Sequence, residues 1–240
     1  MTPPLLTIGM AVYGQPLMLA EWFRRFELAA SPAQREHLEV IVVDDCGTPP
    51  VDKAPLRARV LRITEDTPWN QPEARNLAAR EAAGTVLLMI DPDMTLPEDS
   101  LAGFLAAAKA LRRGHVVRPV LRHGNGAIDA TSPNVYLVHR EDFLASKGYD
   151  LAYCGHKGWS DVTMSQVWSR LFTVRTNRNL VLDFHHEGLF ADAQVKTLDR
   201  SVAYNKKIHL QHKQRIAKLG VKGFLGEHSP MVMSPWTEVR

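Results

Sequence analysis

The sequence predicts an α/β fold with a mostly parallel central sheet flanked by helices. Three observations predict it. The apolar runs "LLTIGM", "VIVV" and "VLLMI" are continuous, as strands buried on both faces are. Segments with helical spacing stand between them. At 240 residues, 45% hydrophobic and 23% charged, the chain can bury a sizeable core without disulfides or metal staples.

"LLTIGMAVYG" (5–14) reads as a strand running into a loop. Pro16 opens a helix whose apolar positions are Leu19, Trp22, Phe23, Phe26 and Ala30, and "SPAQREH" breaks it. "LEVIVVDDCG" (38–47) is a second strand, "GTPPVDKAP" a loop and "RVLRI" (59–63) a third strand. In "QPEARNLAAREAAG" (71–84), Pro72 and Glu73 suit a first helical turn and Gly84 suits a stop. "TVLLMI" (85–90) is a fourth strand, and "LPEDSLAGFLAAAKALRRG" (96–114) a helix with basic residues in its last turn. "HVVRPVL", "NVYLVH" and "NLVLDFHHEG" read as strands, "GHKGWSDVTMSQVWSRL" as a loop entering a helix, and "DRSVAYNKKIHLQHKQRIAKLG" as a basic helix. The expected organisation is one domain over 1–225, with halves 1–114 and 115–225, followed by an irregular tail, 226–240.

A net charge of +3 gives no argument for nucleic acid. Two cysteines, Cys46 and Cys154, fit a reduced, cytoplasmic compartment. The N-terminus lacks a signal-peptide pattern, and no apolar stretch approaches the roughly 20 residues of a membrane span. The basic helix, with Lys206, Lys207, Lys213, Arg215, Lys218, His209 and His212, reads first as a solvated face. The second reading is contact with an acidic acceptor, an anionic membrane surface or the donor phosphates.

In parallel sheets of this kind, ligands bind beyond the carboxyl ends of the strands. Two strands end there in acidic pairs, Asp44-Asp45 and Asp91-Pro92-Asp93. Bunched carboxylates repel one another unless a cation offsets them, and a hard divalent ion with oxygen ligands does so. Mg²⁺ or Mn²⁺ takes one or two carboxylates and completes its shell with water and phosphates. The other reading of "DPD" is an acidic turn. Arg75, early in a helix, suits phosphate or an acidic cluster. Asp161, beside Trp159 in "KGWSDV", suits a general base or, with Ser160, a helix cap. In "FHHEG", only one of His185 and His186 can face a given side of a strand, and one of them could ligate a metal.

The ordered set resembles the nucleotide-diphospho-sugar glycosyltransferases of the GT-A fold, and inverting family 2 among them. "LLTIGMAVYGQP" is similar to the first strand and its Tyr-containing loop, and "VIVVDDCG" to "VVDDGS". "PWNQPEARNLAAREAAGTVLLMIDPDM" resembles the block ending in the metal-binding DxD. "VYLVHREDFLASKGYDLAY" resembles the segment before the acceptor site, and "GWSDVTMSQ" a variant of "GxEDxdl". Together these cover roughly residues 5–170. The resemblance implies that Ala11, Tyr13, Asp44, Asp45 and Trp159 line the nucleotide-sugar site and that Arg75 approaches the diphosphate. It implies that Asp93 binds the metal directly, that Asp91 lies near the ribose or the metal, that His185 or His186 is a further ligand, and that Asp161 deprotonates the acceptor hydroxyl. The donor it favours is a UDP-sugar, the cofactor Mn²⁺ or Mg²⁺. Two departures stand out: Ser160-Asp161 replaces the usual Glu-Asp, which bears on acceptor binding, and Cys46-Gly47 replaces Gly-Ser.

Rival classes leave different marks. A nucleotidyltransferase of related fold carries a Gly-rich basic loop where this chain has "AVYGQP". A dinucleotide dehydrogenase carries G-x-G-x-x-G there. A metallohydrolase built on "HHE" lacks histidines at i, i+4. A nucleotide-sugar-binding module without catalysis would keep the fold and lose the base.

Overall fold

The strands of the first half carry unbroken apolar runs such as "VIVV" and "VLLM", so both faces of the sheet must be covered, and helices on the two sides do this. The computed structural model describes residues 3–51, 58–98, 100–130, 133–185, 187–188, 198–228 and 231–239. β1 (Leu6–Val12) lies between β2 (Leu38–Asp45) and β4 (Val86–Met89), parallel to both, and β3 (Arg59–Ile63) lies parallel on the far side of β2. The chain therefore steps from β1 to β2 and β3 on one side, then returns to β4 on the other. That reversal is a topological switch point, and it opens a crevice beyond β1 and β4.

Beyond β4 the sheet turns mixed. β8 (Tyr136–His139) is antiparallel to β4, and β6 (His115–Arg122) is antiparallel to β8. β9 (Thr173–Phe184) runs parallel to β6, and β5 (Met94–Thr95) is antiparallel to β9. β7 (Ile128–Ala130) forms a hairpin on β6. One sheet thus runs through both expected halves.

Alternation along the strands builds two cores. Ile8, Met10, Val12, Val40, Val42 and Leu88 face one side, against Trp22, Phe23 and Phe26 of α1 (Pro16–Ala29) and Phe104 of α4 (Leu101–Ala110). Ile41, Val43, Leu87 and Met89 face the other, against Leu77 and Ala78 of α3 (Gln71–Glu81). Phe143 of α5 (Arg140–Ala145), Trp168 of α6 (Ser160–Leu171) and Phe224 of α7 (Ala203–Gly226) complete that side. Between α1 and β2 the "SPAQ" segment is not only a breaker. It forms α2 (Pro32–Arg35), with Ser31 and Gln34 in a reciprocal capping box.

Within the tail expected to be irregular, the described residues include a strand. β10 (Trp236–Val239) pairs antiparallel with β3, Trp236 opposite Ile63. Glu73, in the first turn of α3, secures the approach: its carboxylate accepts from Met233 N, from Ser234 N at 2.6 Å and from Ser234 Oγ at 2.7 Å. The basic helix is also not a wholly solvated face. Asn205, His209 and His212 are buried in it, and it bends at Gly220. Among the described residues no helix is long and apolar enough to cross a membrane.

Two outcomes follow. Glu73→Ala lowers unfolding free energy by about 2 kcal/mol in urea melts, because charge-assisted bonds to buried groups are lost. Burial holds His209, His212 and His228 below their ordinary value of 6.5, with Lys213, Arg215 and Lys147 adding to it. Asp150 opposes the shift at His212 and His228. The unfolded chain takes up these protons as pH falls through 6.5 while the folded chain does not. Stability is therefore full above that value and lost below it, read as a falling melting temperature between about pH 7.5 and about pH 5.5.

Candidate active site

The carboxyl ends of β1, β2 and β4 meet at the switch point and line a cleft of about 200 Å³. Ala11, Val12, Tyr13, Gln15, Asp45, Asp91, Pro92 and Asp93 form much of its wall, with Trp69 and Gln71. The loops after β1 and β2 touch here. A Cβ on Gly47 would sit 1.9 Å from Gly14 N, so only glycine fits. Cys46, one residue earlier, is left-handed at φ 57°, where the family it resembles carries glycine.

Asp44 and Asp45 part company because neighbours on a strand face opposite ways. Asp44 is opposite Arg62 in the β2–β3 register and pairs with it. It also accepts from Gly47 N and Val51 N, both at 3.0 Å, and is fully buried. The structure thus places Asp44 under the loop and outside the cleft, correcting its expected ligand role. Asp45 points the other way. Burial pushes its carboxyl up to about 7, and Glu73, Asp44 and Asp66 add like charge. Among the described residues its buried Oδ1 has no hydrogen-bond partner, nor has either polar atom of the Asn70 side chain, between the lining residues Trp69 and Gln71. Orphaned polar atoms beside a cleft mark a place that water or a ligand completes. Tyr13 donates to Asp66 Oδ1 at 3.2 Å; burial and that carboxylate raise its pKa.

Arg75 is 2% exposed, and its guanidinium is spent on Asp91, with Tyr149 OH 3.3 Å away. Burial works against its charge, and Asp91 more than offsets that. Of the two readings for this residue, the structure realises the acidic partner. Asp91 also accepts from Gln71 Nε2 at 3.1 Å and Asn134 Nδ2 at 2.6 Å. Asp93 lines the same cleft two residues on.

Of the two histidines that the resemblance offers as a ligand, only His185 is among the described residues. His185 N donates to Asp93 O at 2.9 Å, but its ring Nε2 lies 2.8 Å from Thr95 Oγ1 and 3.2 Å from an Arg25 nitrogen. The ring lines a separate cleft with His123, Asn125 and Phe184. His186 lies outside the described residues. Among the described residues no group of three or more His, Cys, Asp or Glu side chains is arranged to hold a metal. At "DPD" the two carboxylate residues could hold a metal whose shell phosphate and water complete. That is the donor set Mg²⁺ and Mn²⁺ accept.

A second cleft, about 130 Å³, adjoins the first through Trp69 and Gln71 and ends at Asp161, with Arg75, Asn134, His156, Lys157 and Ser160 in its wall. Asp161 lies in the first turn of α6, and no side chain caps that helix, so the carboxylate is not consumed as a cap. Trp159 is absent from both linings. It is left-handed at φ 70° and its ring lies on His209, 4.7 Å between centroids, which corrects its expected donor contact. The aromatic residue of both clefts is Trp69, which the sequence reading passed over inside "TPWNQP". Its indole donates to Asp199 O at 2.6 Å, and Lys157 Nζ and Arg200 Cζ lie 5.2 and 5.7 Å from the ring centroid. A tryptophan in a Pro-flanked loop feeding the Arg75 helix was the available signal.

Because Asp45 binds its proton more tightly folded than unfolded, its own contribution to stability is lost as pH rises from about 4 towards about 7, opposite in sign to that of the buried histidines. Asp45→Asn, uncharged throughout, raises the melting temperature at about pH 8 and flattens that slope.

Comparison with known proteins accords with this fold. A crystal structure of S. aureus TarS 1-349 in complex with UDP-GlcNAc superposes with a TM-score of 0.67 at 13% identity, over 88% of this chain. This chain spans 66% of that one, just under two thirds. The mannosyltransferase PcManGT from Pyrobaculum calidifontis, in complex with GDP-Man and Mn²⁺, superposes with a TM-score of 0.58 at 17% identity, over 94% of this chain and 74% of its own. Sequence comparison with curated proteins finds no significant match. The profile of glycosyl transferase family 2 matches residues 7–181, most of the chain, and the chain belongs to that family.

Proposed function

We propose that the chain transfers a sugar from a nucleotide diphosphate, UDP in the first instance, to an acceptor hydroxyl, with a divalent metal and with inversion at the anomeric carbon. One observation carries the reading: Tyr13, Asp45, Asp91 and Asp93 share a cleft that adjoins, through Trp69 and Gln71, a second cleft ending at Asp161. The neighbours bound to UDP-GlcNAc and to GDP-Man with Mn²⁺ support a nucleotide-sugar donor.

In this reading Tyr13 and Asp45 receive the nucleoside, and the orphaned carboxylate oxygen of Asp45 accepts from the base. Asp93 is the principal metal ligand with Asp91 beside it, since Asp91 is already engaged by Arg75, Gln71 and Asn134. When bound, Mn²⁺ or Mg²⁺ neutralises charge on the departing diphosphate. Arg75 holds the Asp91 carboxylate in place. Asp161 takes the proton from the acceptor hydroxyl as that oxygen attacks the anomeric carbon and the bond to the diphosphate breaks. Attack from the Asp161 side with departure on the Asp93 side is a single displacement, which inverts the centre.

Calorimetric titration of UDP is expected to show binding with Mn²⁺, loss of it with EDTA, and loss of it in Asp93→Ala. Binding of GDP in place of UDP would keep the class and change the donor. Failure of a folded sample to bind any nucleotide diphosphate would overturn the reading. Asp161→Asn should leave UDP affinity within about twofold and lower turnover by about 10²–10⁴. Full turnover in that variant would remove Asp161 from the mechanism.

A further inference from the structure

α7 lies wholly beyond the residues 7–181 that the family profile matches, yet it touches the loop that carries Asp161. The contact is polar where a packed helix ordinarily buries apolar side chains. Asn205, His209 and His212, spaced four and three residues apart, share one face and are 0%, 6% and 4% exposed. Asn205 Nδ2 donates to three carbonyls of one loop: Tyr153 O at 3.0 Å, His156 O at 2.6 Å and Gly158 O at 2.9 Å. His209 Nδ1 lies 2.8 Å from Thr163 Oγ1, and its ring lies on Trp159. His212 Nδ1 lies 3.2 Å from Tyr153 OH, which is itself 2.5 Å from Thr163 Oγ1.

These contacts bracket Asp161. Trp159 stands two residues before it and Thr163 two after, and Thr163 N donates to Trp159 O at 3.0 Å. The loop enters the helix through two consecutive left-handed residues, Gly158 at φ 84° and Trp159 at φ 70°. A left-handed tryptophan costs about 1–3 kcal/mol and persists only where its surroundings over-determine it. The His209 ring against its indole and the Asn205 amide on the preceding carbonyls are those surroundings.

We propose that Asn205 and His209 are positioning residues for the reaction: the buried polar face of α7 holds 153–163 in the one conformation that aims the Asp161 carboxylate into the second cleft. This rests on the reading of Asp161 as the base. The residues touch neither donor nor acceptor cleft, so their loss acts on turnover and not on donor binding.

The test uses the full chain with UDP and Mn²⁺ for binding, and hydrolysis of UDP-GlcNAc for turnover. In that reaction water attacks the anomeric carbon, UDP leaves and Asp161 accepts the proton. Asn205→Ala and His209→Ala should lower kcat by about tenfold or more with donor KM within about twofold, as a misplaced catalytic group does. His209→Asn, which keeps a polar nitrogen near the Nδ1 position, should restore most of the loss. If His209→Ala does not fold, Thr163→Val removes only the hydroxyl and reads the same coupling. Hydrogen exchange gives a readout free of turnover: amides 156–163 should exchange about tenfold faster in the alanine variants, with β1 and β4 unchanged. Wild-type kcat in the variants, or unchanged exchange over 156–163, would overturn the proposal. A wild-type rate that Asp161→Asn does not alter would instead overturn the base assignment, and the exchange result would still decide the brace.

Discussion

A guanidinium with 2% of its surface in water must have a carboxylate, and the candidate site is arranged around that necessity. Arg75 reaches up from α3 to Asp91, stands over the Tyr149 ring at 5.6 Å, and shares Asp91 with Asn134 and Gln71. One buried charge thus ties α3, the end of β4, the entry to β8 and the loop after α5. Leaving such a charge uncompensated costs about 3–5 kcal/mol, so the segments cannot drift apart without a large penalty. The position of Asp93 is inherited from this anchor two residues away. The same pair also explains why an arginine close to a proposed diphosphate need not touch it.

Much of the fold was legible in the sequence, because burial on both faces leaves unbroken apolar runs that composition alone reveals. The first three strands, the helix from Pro16 and the Arg75 helix follow from those runs and their punctuation. "SPAQ" carried its capping box in plain view, though it reads more readily as a breaker. Short edge pieces such as β5 and β7 have too few residues to show a period.

The site was legible as a set of residue types and not as a set of directions. Which of Asp44 and Asp45 faces the cleft depends on the register that sets Asp44 beside Arg62, and register is a property of two strands. The choice between Trp69 and Trp159 was lost for a similar reason. Proximity to Asp161 in the chain suggested Trp159, whereas the left-handed turn at that residue sends its ring onto α7. The histidines of the basic helix were hidden by their neighbours. Lysines at the surrounding positions made the whole segment look solvated, while the spacing of Asn205, His209 and His212 defines a buried face.

The pairing of β10 with β3 sets a condition on how the molecule can come into being. Residues near 60 complete their hydrogen bonding with residues near 237, so the first half acquires its outer edge from almost the other end of the chain. During synthesis β3 must wait with one flank of its backbone open, a template for any extended segment that meets it first. The half that holds most of the first cleft is accordingly not a module that can be cut out and studied alone. A fragment ending near 114 would carry Tyr13, Asp45 and Asp93 on a sheet with two raw edges, at β3 and at β4, where the intact chain supplies β10 and β8.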